Sequence, residues 1–120
     1  VWEVPGGAVE LNESPRKTAE REIKEEIGLD KKLSKLLCVD YQDPYDIKTE
    51  SLMFIFDGGI LSQDDIASIE LDGKEVVEFK LAPLDEACKL LSPVLARRIE
   101  QAVIAKTQNT AVYLENRELI

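Results

Sequence analysis

Three glutamates, Glu22, Glu25 and Glu26, crowd into the stretch REIKEEIG at residues 21 to 28. A helix turns about 100° per residue, so Glu25 and Glu26 fall about 60° and 40° to either side of Glu22 and all three carboxylates share one face. Like charges at i,i+4 cost a helix roughly 0.2–0.5 kcal/mol, and Glu25 and Glu26 also lie toward the negative, C-terminal end of the helix dipole. Both penalties fall on a chain that already carries 24 acidic against 15 basic residues. Histidine is absent, which excludes Ser-His-Asp and Cys-His nucleophiles and an imidazole base. Any catalysis must use carboxylates, lysines, tyrosines or a metal held by oxygen ligands. The plain alternative is a solvated helix face.

The element that must hold these groups is a helix over about residues 15 to 27. Ser14 followed by Pro15 is an N-cap and first-turn pair. Ala19, Ile23 and Ile27 give an apolar stripe at i,i+4, and Gly28 supplies the stop. Ahead of it, Val1 to Val4 reads as a strand entering the turn Pro5-Gly6-Gly7, with Ala8 to Leu11 extended. Beyond it, residues 33 to 41 and 51 to 56 are rich in β-formers and flank a polar loop, QDPYDIKTE. Ser62 opens a short capped helix to about Ile69. Residues 75 to 81 alternate like a half-buried strand, 83 to 91 suggest a brief helix, and Ser92-Pro93 opens a longer one to about Lys106. A last strand covers 110 to 114. Short strands mixed with helices of different lengths predict an α/β or α+β layered domain.

At 120 residues and 44% hydrophobic, the chain has the size and apolar content of one domain, 1–120. The net charge of −9 argues against nucleic acid or an anionic membrane as the main partner. A small anion stays open, because a divalent cation inverts the local sign. Cys38 and Cys88 sit in apolar runs without ligand-like spacing and read as buried thiols of a reducing compartment. With no bilayer-length apolar run and no basic-then-apolar leader, the expected location is cytoplasmic.

Residues 7 to 29 carry a longer pattern: Gly7, five residues, Glu13, seven residues, then Arg21-Glu22-Ile23-Lys24-Glu25-Glu26-Ile27-Gly28-Leu29. It matches the Nudix box, G-x5-E-x7-R-E-U-x-E-E-x-G-U with U aliphatic. Seven fixed positions coincide by chance about once in 10⁸ starts. The chain therefore resembles a Nudix hydrolase, and WEVPGG resembles that family's usual strand and turn before the box.

The resemblance implies an α/β/α sandwich around a mixed sheet and a Mg²⁺ cofactor, with Mn²⁺ as a substitute. Glu22, Glu25 and Glu26 become metal ligands, joined by the Gly6 carbonyl. Carboxylates at i, i+3 and i+4 suit a hard cation that takes oxygen ligands. Glu13 and Arg21 become a pair bracing the loop against the helix. The implied reaction is attack of water on phosphorus in a nucleoside diphosphate linked to another group, or in a nucleoside triphosphate. Glu22, or a later acid, takes the proton; Glu78 fits that later position somewhat better than Glu75. Tyr41, Tyr45 and Phe56 are candidates to stack a base. Pro44 resembles ADP-ribose hydrolases and Tyr45 diadenosine polyphosphate hydrolases, which leaves the substrate open. A non-catalytic ligand sensor is the rival, disfavoured by the intact glutamates. Family members usually carry further strands before the box, so this chain is expected to lack N-terminal strands and, through an exposed edge, to form a homodimer.

Overall fold

Helix-end chemistry places α1 (Pro15–Ile27) where the sequence puts it: the Ser14 hydroxyl accepts from the Lys17 amide, Pro15 takes the first turn, and Gly28 ends the helix at φ 77°. That left-handed conformation suits glycine, which has no Cβ to clash. The same logic fixes α2 (Gln63–Ala67), where Ser62 and Asp65 cap each other's amides. The computed structural model describes residues 1–46 and 48–120; Ile47, inside the expected polar loop, lies outside the described residues.

The chain divides into two compact units. The first comprises Val1–Glu3, Lys35–Asp57 and Ala82–Ile120. It holds β1 (Leu36–Gln42), β2 (Ser51–Phe56), α3 (Leu84–Leu90), α4 (Pro93–Thr107), β3 (Val112–Glu115) and β4 (Glu118–Leu119). The strands form a four-stranded sheet in the order β2-β1-β3-β4. β1 runs antiparallel to β2 and parallel to β3, and β3 pairs antiparallel with β4. This is the expected mixed sheet with helices. Leu37, Cys38, Ala102 and Leu114 form its core, with Ile55 and Val112 packed against them. Full burial of a leucine-sized side chain contributes about 1.5–3 kcal/mol.

Inside the same unit Asp40 is 0% exposed. It accepts from Arg98 Nε at 2.6 Å and from the Arg117 amide at 3.0 Å, so its charge is paired and hydrogen-bonded. The Arg117 guanidinium also bonds Gln42 Oε1.

The second unit, Val4–Ser34 and Gly58–Leu81, holds α1 and α2. Two expected strands are absent from the ladders. Residues 75 to 81 are irregular, with Val77 75% and Leu81 56% exposed. Alternation makes a strand only where a neighbour offers a ladder, and the turn before the segment takes its amides instead: Asp72 Oδ1 accepts from Lys74 and Val76, and Gly73 N–H donates to the Val76 carbonyl. Val1 to Val4 likewise forms no ladder. In the opposite direction, the sequence reading missed β4. Its hairpin turns on Asn116 and Arg117, at φ 50° and 65°, a primed turn entered by asparagine without the usual glycine. No helix among the described residues is long and apolar enough to cross a membrane.

Candidate active site

The sequence order of α1 brings Arg21 into the middle of the carboxylates. Arg21 Nη1 donates to Glu22 Oε1 at 2.9 Å and to Glu25 Oε2 at 3.2 Å. Its Nε donates to Glu13 Oε2 at 2.8 Å and its Nη2 to Glu13 Oε1 at 3.0 Å, a two-point grip. Glu13 is held further by the Thr18 hydroxyl at 2.7 Å and the Glu10 amide at 3.2 Å. These bonds, Arg21's first, lower its pKa from 4.5 to about 2. Glu13 in return raises the pKa of Arg21. Glu10 Oε1 lies 3.1 Å from Arg21 Nε, an ion pair that sequence reasoning missed.

Glu26 is anchored to the other side of the loop. The Gly6 amide donates to its Oε1 at 2.9 Å, so the turn meets the helix through an N–H. Burial, the largest influence, raises the Glu26 pKa; the Gly6 bond opposes this, while the charges of Glu22, Glu75 and Asp72 add to it. A Cβ built on Gly7 falls within 2.6 Å of Glu22 Cδ and closer still to its Oε1. Gly7 is therefore the residue that lets the loop lie against the Glu22 carboxylate.

The structure thus gathers Gly6, Glu13, Arg21, Glu22, Glu25 and Glu26 in one unit. The charges of two later acids, Glu75 and Asp72, also bear on Glu26, whereas Glu78 is not among the principal influences; all three are exposed. Asp72-Gly73 is a turn signal in the sequence, but turn chemistry alone does not say which way the loop folds. Tyr41 and Phe56 belong to the sheet unit. The Tyr41 hydroxyl donates to Glu50 at 2.5 Å, a bond that raises its pKa to about 12. Tyr45 is 72% exposed, with its backbone paired to Lys48.

Among the described residues no group of three or more acidic, histidine or cysteine side chains is already gathered closely enough to hold a metal ion. The reason lies in the bonds above: one guanidinium holds Glu22 and Glu25, and one amide holds Glu26. The donor chemistry nevertheless fits a hard divalent cation. Glu22, Glu25 and Glu26 are all carboxylates, Arg21 already stands as a cation between Glu22 and Glu25, and Glu26, its pKa raised first by burial and then by the charges of Glu22, Glu75 and Asp72, is held by an amide alone.

Comparison with known proteins gives three findings. The family model of the NUDIX domain matches residues 1–103. Diphosphoinositol polyphosphate phosphohydrolases 3-alpha and 3-beta of Mus musculus are each 32% identical over 100 residues, covering 83% of this chain and 60% of theirs. The chain therefore spans about 60% of the length of these relatives. The crystal structure of the MutT protein from Methanosarcina mazei Go1 superposes with a TM-score of 0.63 at 20% identity, over 90% of this chain and 72% of that one, a likeness of fold.

Proposed function

The chain belongs to the Nudix family, and from that premise we propose that it is a Mg²⁺-dependent pyrophosphohydrolase that cleaves a phosphoric anhydride by attack of water on phosphorus. The substrate class is a nucleoside diphosphate linked to another moiety, or a nucleoside triphosphate. One observation carries the reading: on the acidic face of α1 the Arg21 guanidinium holds Glu22 and Glu25 and the Gly6 amide holds Glu26, with the charges of Glu75 and Asp72 bearing on Glu26.

Glu22, Glu25 and Glu26 would hold Mg²⁺. The cation, when bound, supplies charge neutralisation for the diphosphate and acidity for an attacking water. The protein's own groups do the rest. Glu13 fixes Arg21 at two points, and Arg21 fixes the carboxylates of Glu22 and Glu25. Gly6 sets the carboxylate of Glu26 and Gly7 leaves room for that of Glu22. For proton acceptance Glu22 is one candidate; of the later acids Glu75 is better supported than Glu78, since its charge bears on Glu26.

The names of the mouse relatives favour a second reading of the substrate, a diphosphoinositol polyphosphate. The reaction class is the same. The test is a hydrolysis panel with Mg²⁺: ADP-ribose, diadenosine polyphosphates, nucleoside triphosphates and a diphosphoinositol polyphosphate, with products resolved by ³¹P NMR. Turnover of a nucleotide supports the first reading, turnover of the inositol compound alone the second, and turnover of none overturns both.

A further inference from the structure

The flank of α1 away from Glu22 presents the opposite charge. Lys17, Glu20, Arg21, Asp30, Lys31 and Lys32 line an open hollow of about 440 Å³ within the second unit. Four cationic side chains face two carboxylates there, in a chain whose net charge is −9. Asp30 is served from outside the lining, and Glu20 both from outside it and by the charge of Lys32 within it. Glu20 accepts from Arg16 at 3.1 Å and from the Leu33 amide at 2.8 Å, and Asp30 accepts from Lys24 at 3.3 Å. Arg21 is committed to Glu13, Glu22 and Glu25. Lys31 reaches Asp65 at 3.4 Å. Lys17 and Lys32 make no side-chain hydrogen bond or ion pair among the described residues.

Three ammonium groups therefore stand at one concavity: Lys17 is uncommitted, the charge of Lys32 bears on Glu20, and Lys31 is loosely held by Asp65. Ammonium groups are compact point charges with rotatable donors, suited to the tetrahedral oxygens of phosphate more than to a planar carboxylate. The chain's overall charge repels anions, so a local cation excess is where a phosphate group would be retained. We infer that this hollow is a second anion site, taking the diphosphate group of a nucleotide or free pyrophosphate on Lys17, Lys31 and Lys32. The inference does not rest on the hydrolase reading.

The test uses the whole chain in EDTA, so that the carboxylate face offers an anion only repulsion. Pyrophosphate, ADP and adenosine are titrated in turn while ¹⁵N–¹H spectra are recorded. The expected result is saturable shifts at Lys17, Lys31 and Lys32 with pyrophosphate and ADP, none with adenosine, and weakening by added salt. The Lys17→Gln/Lys32→Gln variant should bind about fivefold or more weakly, whereas Lys48→Gln/Lys80→Gln, of equal net charge, stays within about twofold. Equal affinity for the two anions supports a site that reads diphosphate alone, and tighter ADP a diphosphate read within a nucleotide. Shifts confined to other residues, an unchanged dissociation constant in the Lys17/Lys32 variant, or equal loss in both variants overturns the inference. A spectrum of the free variant that overlays the wild type away from the two sites excludes misfolding as the cause.

Discussion

Glu13 and Arg21, eight residues apart, meet through two parallel hydrogen bonds, Nε to Oε2 at 2.8 Å and Nη2 to Oε1 at 3.0 Å. The pair ties the loop before α1 to the helix that carries the acidic face. Its energetic signature is a pH dependence. The folded-state pKa of Glu13, about 2, lies below its ordinary 4.5, so the stability it supplies is complete above 4.5 and is lost as pH falls toward 2. Glu13→Gln should therefore melt below the wild type at pH 7, with the gap closing across that window. Melts at half-unit pH intervals check it; a gap that stays constant to pH 2 contradicts the pairing.

Gly7→Ala tests the close approach beside the acidic face. The added methyl meets the Glu22 carboxylate, the far end of a flexible side chain, so the fold should survive while Glu22 is displaced. A displaced ligand or supporting group costs about 10–100-fold in metal affinity or activity. The expected outcome is that loss in Mg²⁺-dependent turnover with circular dichroism unchanged. Full activity in the alanine variant would mean that the position of Glu22 against the loop is immaterial.

In the sheet unit, Arg98→Met leaves the buried Asp40 carboxylate with the Arg117 amide and a guanidinium 3.8 Å away. Breaking one side of a buried pair should cost about 3 kcal/mol, and the double variant Asp40→Leu/Arg98→Met should recover much of it. Denaturant unfolding measures both. Single and double variants of equal stability would show that the pair's burial is not what holds Arg98 and Asp40 together.

The sequence reading succeeded where the deciding physics is local. α1 is bounded by Ser14-Pro15 and Gly28, whose roles need no tertiary partner, and its limits agree. The Ser62 cap of α2 is equally local, and the Nudix box names the family because its spacing is one helix and one turn. The misses need long-range information. Residues 75 to 81 have strand alternation and no ladder; Asp40 and Arg98 are 58 positions apart; the tie between Gly6 and Glu26 spans 20. The influence of the Glu75 charge on Glu26, from far along the chain, is of the same long-range kind. Arg21 bonded to Glu22 and Glu25, and the Gly6 amide bonded to Glu26, are what let the face carry its charge.

That tolerance makes the central claim, that the glutamate face of α1 is a divalent-cation site, testable by stability alone. Without metal, Glu26→Gln removes a like-charge neighbour of Glu22 and an unfavourable dipole contact, while its amide oxygen still accepts from Gly6. The variant should be more stable by about 0.3–1 kcal/mol. At ten times its dissociation constant, Mg²⁺ stabilises the wild type by about 1.4 kcal/mol, and a variant lacking one ligand gains less. Thermal melts of both proteins in EDTA and in Mg²⁺, at matched ionic strength, should show the variant ahead without metal and level with or behind the wild type with it. An equal shift of both proteins on adding Mg²⁺ would contradict the account and leave the glutamate face as a solvated surface.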